Sequence, residues 1–211
     1  MHKLSSLASG FIVLALGASL AYAADKKMVP EEGAVEVMIL RQQSVQRELG
    51  LNDDQVEKIH KHAAKQWEKA QEASKLSQSE ADKKFMELTK ENEHFVEQTL
   101  NKDQQKRLHE IVLQVAGLLC LTREHVASKL NLTADQKKRA MEMQKEGRQE
   151  AEELIHSTSK EQKREKLKEL RASTRKRVTE LLTDDQEAKW KEMTGKPFTG
   201  DLAFFDPADA K

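Results

Sequence analysis

The sequence predicts an all-α chain: two tandem helical-hairpin units forming an elongated or cradle-like helical bundle. Three observations lead there. First, breakers are nearly absent from the middle of the chain. The prolines are Pro30, Pro197 and Pro207, and the glycines between Glu31 and Thr194 are Gly33, Gly50, Gly117 and Gly147. Such a stretch, rich in Ala, Leu, Glu, Lys, Gln and Arg, favours helix almost throughout. Second, 34% of residues are charged and only 4% aromatic, the composition of long solvated helices with narrow apolar seams. Third, one pentad recurs four times.

The elements follow in order. Residues 1–23 read as a secretory signal peptide: a basic start at His2-Lys3, an apolar run from Phe11 to Leu20, and the small-large-small Ala21-Tyr22-Ala23, with cleavage after Ala23. That places the mature chain in the periplasm or outside the cell. Residues 24–39 form a flank, loose at its start, 40–118 a first helical unit, 119–198 a second, and 199–211 a loose tail. The apolar stretch Ile111–Leu121 is too short to span a bilayer, which needs about 20 residues, so no stable membrane insertion is expected after cleavage. Cys120, the only cysteine, lies in that stretch and reads as a small buried apolar residue. Without Lys3 the chain carries 35 Lys and Arg against 36 Asp and Glu, a net charge of −1. That balance gives no basic field for nucleic acid.

The pentads are Leu51-Asn52-Asp53-Asp54-Gln55, Leu100-Asn101-Lys102-Asp103-Gln104, Leu132-Thr133-Ala134-Asp135-Gln136 and Leu182-Thr183-Asp184-Asp185-Gln186. Their leucines are 49, 32 and 50 residues apart, so the first and third lie 81 apart and the second and fourth 82. The neighbours keep the same offsets: Leu40, Val45 and Leu49 map onto Leu121, Val126 and Leu130, while Leu88 and Val96 map onto Leu170 and Val178. A tandem duplication accounts for this. Each pentad has the composition of a helix start. Asn or Thr caps the first turn, and Gln three residues later returns a bond to the cap's own amide. Ser77-Gln78-Ser79-Glu80 and Thr158-Ser159-Lys160-Glu161 are a second capping signal between the paired pentads. Helices near 53–75 and 79–99, and near 134–156 and 160–181, then form two antiparallel hairpins. Their seams run through Val56, Ile59, Ala63, Trp67 and Ala70, through Phe85, Leu88, Asn92, Phe95/Val96 and Thr99, and in the second unit through Ala140, Met143, Gly147, Ala151 and Leu154, with Leu167, Leu170, Thr174, Val178 and Leu181 on the facing helix. Past the last helix, Gly195 suits a left-handed cap, Pro197 stops the helix, and Phe198 can fold back on it.

Thr133 with Gln136, and Thr183 with Gln186, make this chain similar to the LTxxQ-motif (Spy/CpxP) family of exported helical proteins. Asn52 and Asn101 stand where that family has threonine. The resemblance covers about two thirds of the chain. It implies a curved helical cradle that acts as an ATP-independent chaperone or an envelope-stress regulator, some relatives binding metals. In the family one chain carries one pair of motifs and dimerises; this chain carries two pairs, suggesting a single-chain analogue of that dimer or two cradles in series.

Other constellations are weaker. Glu57-x-x-His60 and Glu91-x-x-His94 place carboxylate and imidazole on one helical face, as di-iron bundles do. Against a metal site, the second unit has Lys138 and Met141, then Ser173 and Lys176, in the matching places. Trp67 and Trp190 are candidate partner contacts, with core packing as the commoner role of such residues. Phe204-Phe205 in the tail is either a docking plug or a loose pair. No phosphate loop, nucleophile elbow or CxxC pair occurs, so neither catalysis nor a cofactor is expected. The expected function is binding of a protein client or envelope partner. A periplasmic metal-binding or metal-sensing protein, or a structural envelope protein, is the alternative.

Overall fold

The computed structural model describes residues 32–157 and 160–202, and among these the protein is helical with no strand. The helices are α1 (Glu32–Leu40), α2 (Gln43–Glu48), α3 (Asp53–Ala73), α4 (Gln78–Thr99) and α5 (Lys102–Ala116), then a 3₁₀ turn (Gly117–Leu119), α6 (Glu124–Leu130), α7 (Ala134–Ser157), α8 (Lys160–Leu181) and α9 (Asp184–Thr194). The expected signal peptide, the start of the flank, Thr158-Ser159 and the Phe204-Phe205 pair lie outside the described residues.

The chain divides into two compact units, one of Glu31–Gln114 with Thr194–Leu202, the other containing Val115–Met193. In the first unit α3 and α4 pack on each other and run in opposite directions. Gln55 on α3 reaches Thr99 at the end of α4, His62 reaches Asn92, and Gln66 reaches Glu91. Helix α1 lies against α4 and also touches α3. Ile59, Ala63, Leu88, Asn92 and Val96 of the expected seams are buried, whereas Val56, Trp67, Ala70 and Phe85 are only half-buried. Helix α2 ends in a left-handed turn at Gly50 (φ 59°), where the Gly50 amide donates to Arg47 O (3.1 Å) and the Leu51 amide to Gln46 O (3.0 Å). This pair of bonds is a Schellman cap, and it delivers Leu51 to the next helix start.

The segment Thr194–Leu202 belongs to this first unit, although the sequence pattern assigned 194–198 to the second unit and left 199–211 loose. The reason is hydrogen bonding. Backbone past Gly195 (φ 61°) and Pro197 cannot pair helically, and Gln114 satisfies it instead. Gln114 Nε2 donates to Thr194 O (2.7 Å) and Lys196 O (2.9 Å), and Gln114 Oε1 accepts from the Phe198 amide (2.7 Å). Ser44 Oγ then donates to Asp201 O (2.6 Å).

In the second unit α7 packs on α8, and the 3₁₀ turn Gly117–Leu119 packs on both. The buried Gln144 of α7 fixes that turn, donating to Leu118 O (2.8 Å) and Thr122 Oγ1 (3.0 Å). The core includes Leu118, Leu121, Val126, Leu130, Ala140, Met143 and Val178, with Cys120 fully buried among the described residues. Asn131 (φ 53°) is the counterpart of Gly50: its amide donates to Ser128 O (3.1 Å) and that of Leu132 to Ala127 O (2.9 Å). The side chains of Ala151, Leu154, Leu167 and Leu170 lie outside the described residues.

Candidate functional site

The four pentads converge in pairs at helix ends. At each start the Asn or Thr oxygen accepts from the amide of the glutamine three residues on, and that glutamine's Oε1 accepts the cap's own amide. The first bond is 2.9 Å at Asn52, 2.9 Å at Asn101, 3.2 Å at Thr133 and 3.4 Å at Thr183. The return bonds from Gln55, Gln104, Gln136 and Gln186 span 3.0–3.1 Å.

The glutamines also do something that the capping pattern did not foretell. In the first unit Gln55 Nε2 donates to Thr99 O (2.8 Å) and Gln104 Oε1 (2.9 Å), while Gln104 Nε2 donates to Leu49 O (3.3 Å) and approaches Gln55 Oε1 (3.4 Å). In the second, Gln136 Nε2 donates to Leu181 O (2.9 Å) and Gln186 Oε1 (2.7 Å), and Gln186 Nε2 to Asn131 O (3.3 Å) and Gln136 Oε1 (3.1 Å). Each pair of amides therefore joins two helix starts and two helix ends. Leu100, Leu132 and Leu182 are buried beside these junctions, and Leu51 is half-buried. The sequence did hold a signal. A glutamate would close a capping box equally well and would gain from the helix dipole, so four glutamines imply a use for the amide's N–H donors.

Beside the first junction lies an open cleft of about 370 Å³ lined by Glu48, Leu49, Gly50, Asn101, Asp103, Gln104 and Arg107. Arg107 donates through Nε and Nη2 to Glu48 (3.0 and 2.8 Å), and through Nη1 to Glu110 (2.8 Å) and Lys196 O (2.8 Å). Its hydrogen bonds, with its charge behind them, hold the Glu48 carboxyl below the usual carboxylate range. The guanidinium is thus engaged by two carboxylates and a backbone carbonyl at the edge of the cleft.

Three of the four candidate metal ligands contact other side chains. Glu57 is exposed and pairs with Lys61. His60 is half-buried, its Nε2 3.3 Å from Gln46 Nε2. Glu91 accepts from Gln66 Nε2 (2.7 Å) and pairs with Lys69, and the hydrogen bonds from Lys69 and then Gln66 are the main reasons its carboxyl sits below the usual range. His94 is exposed on α4. Among the described residues no group of three or more His, Cys, Asp or Glu could hold a metal ion. Of the two tryptophans, Trp190 is buried in α9 and Trp67 is half-buried on α3.

A polar core lies between α3 and α4, of which the sequence pattern placed only Asn92 on a seam. The His62 ring stacks on Phe95, centroids 3.8 Å apart and planes 1° from parallel, and Asn92 Oδ1 accepts from His62 Nε2 (2.8 Å). Gln66 and Thr89 are buried nearby on the same helices. Among the described residues, the large apolar side chains exposed to solvent are Leu76 at the α3–α4 connection, Met86 on α4 and Met141 on α7. Among the described residues no single helix is long and apolar enough to cross a membrane. No family model, no curated protein and no solved structure matches this chain.

Proposed function

We propose that this is an exported, non-enzymatic protein that binds another protein, an unfolded client or an envelope partner, on its helical surfaces without nucleotide. The observation that carries the reading is the paired pentad, present twice in one chain about 50 residues apart and joined in each unit through its glutamines. That pairing supports the resemblance to the LTxxQ-motif proteins, and with it the chaperone-like activity the resemblance implies. The leader-like residues 1–23 support an extracytoplasmic location. Exposed Leu76, Met86 and Met141 amid charged neighbours supply apolar contacts of the adaptable kind that promiscuous binders use. The described residues offer no cluster resembling catalytic machinery, and the amide junctions give the helices a fixed frame on which to present a surface.

The direct test is aggregation of a disulfide-reduced, unfolded client mixed with the mature chain at substoichiometric to equimolar ratios, without ATP. Suppressed light scattering supports the chaperone form of the reading, and undiminished scattering ends it. Pull-down from an envelope extract then separates a holder of unfolded chains from a protein with one dedicated partner.

A further inference from the structure

Helices α4 and α8 are both 22 residues long and stand 82 apart, at equivalent places in the duplication. Their charges have diverged. Helix α4 carries three lysines against six acidic residues, a net of −3; α8 carries nine Lys and Arg against four glutamates, a net of +5. At the shared offset Asp82 faces a substitution to Arg164 and Glu93 one to Arg175, both full reversals of sign, while His94 is matched by Lys176. Glu93, His94, Glu97, Arg175 and Lys176 are all exposed. The net charge of −1 for the mature chain thus conceals one acidic helix and one basic helix of equal length.

We infer that two copies of this chain associate, the acidic α4 of one copy at its exposed Glu93 and Glu97 meeting the basic α8 of the other at its exposed Arg175 and Lys176. Charge complementarity singles out a second copy as the occupant, because every molecule carries both signs on helices of matching length, about 33 Å at 1.5 Å per residue. Exposed ion pairs are individually weak and screened by salt, so the association is reversible and confined to low ionic strength. The inference does not depend on the proposed chaperone activity.

Sedimentation velocity on the mature chain, over a roughly hundredfold range of concentration, tests it. At about 20 mM salt the weight-average mass should rise with concentration, and at about 0.5 M salt it should stay monomeric. Arg175→Glu/Lys176→Glu on α8 and Glu93→Lys/Glu97→Lys on α4 should each abolish self-association while leaving helical circular dichroism unchanged. Mixing the two variants should restore a salt-sensitive heterodimer, because each still carries one intact face. Association that survives 0.5 M salt, or no heterodimer on mixing folded variants, overturns the inference. So does a wild-type chain that remains monomeric at low salt yet binds polyglutamate, which would assign α8 to a different acidic partner.

Discussion

Gln136 and Gln186 exchange hydrogen bonds across the two helix starts of the second unit, at 2.7 Å in one direction and 3.1 Å in the other. Each also closes the capping box of its own helix and bonds a backbone carbonyl at the end of another. The motif's glutamine is therefore both cap and clasp. Gln136→Glu separates these roles. A carboxylate keeps the acceptor that Thr133's amide needs, but loses both N–H donors and turns negative charge toward Leu181 O. The expected loss is about 2–3 kcal/mol at neutral pH, the cost of leaving part-buried acceptors unmet. Urea unfolding measures it, and an unshifted midpoint would show the amide donors to be dispensable. Because the two residues share a network, Gln136→Ala and Gln186→Ala should be non-additive by about 0.5–3 kcal/mol.

Thr133 tests the cap alone. Thr133→Ala removes the oxygen that accepts from the Gln136 amide (3.2 Å) and should cost on the order of 1 kcal/mol. Thr133→Asn installs the residue found at Asn52 and Asn101 and should leave stability within about 0.5 kcal/mol. The contrast distinguishes capping from a generic loss of side-chain contacts, since Asn and Thr share a polar acceptor but not a shape. Thermal melts of the three proteins decide it.

These residues show which parts of the molecule the sequence made legible. Capping is local, so four residues suffice to announce a helix start wherever the chain later goes. The seams were legible at Ile59, Leu88, Val96, Ala140 and Met143 because burial on a helix follows its 3.6-residue period. The clasp between Gln55 and Gln104 was not, because it needs two helix starts 49 residues apart to meet in space. In the polar core Asn92 was legible as a seam residue, but His62, Gln66 and Thr89 were hidden for another reason: polar residues facing a neighbouring helix look like solvated positions until their partners are known. The return of Thr194–Leu202 to the first unit rests on a single side chain, Gln114, with no periodic signal.

Two glycines should respond differently to the same substitution. Gly50 and Gly195 both have left-handed backbone, at φ 59° and 61°. A Cβ on Gly50 would meet nothing within 4 Å, so Gly50→Ala carries only the backbone penalty of about 1–2 kcal/mol. A Cβ on Gly195 would collide with the Glu110 carboxylate, which accepts from Arg107 at 2.8 Å. Gly195→Ala must therefore displace Glu110 from Arg107 as well, and should exceed the Gly50 cost by about 1 kcal/mol. Equal melting temperatures for the two variants would remove Glu110 from the argument. Asn131→Gly, at the same place in the second unit, relieves a left-handed Asn and should leave the protein as stable or slightly more so.

His62 gives the fold a dependence on pH whose sign is fixed by burial. Its ring lies between α3 and α4, stacked on Phe95 and bonded to Asn92, and desolvation pushes its pKa below the ordinary value. The Asn92 bond and the charge of Glu91 oppose that shift, while Lys69 and Lys65 reinforce it. Because the folded ring resists protonation more than the unfolded one, the unfolded chain binds more protons in the intervening range, and stability there must rise with pH. The contribution is complete above the unfolded histidine value of about 6.5 and is lost as pH falls through the lower folded value. His62→Phe keeps a ring to stack on Phe95 but cannot titrate, at the cost of leaving Asn92 Oδ1 without its donor. It should therefore be less stable than wild type at pH 8, with that deficit shrinking toward pH 5 as wild type alone loses stability. The other histidines are common to both proteins and cancel in the difference. Urea midpoints for the pair at the two values provide the measurement, and a deficit that stays constant or widens on acidification would exclude a depressed pKa at His62.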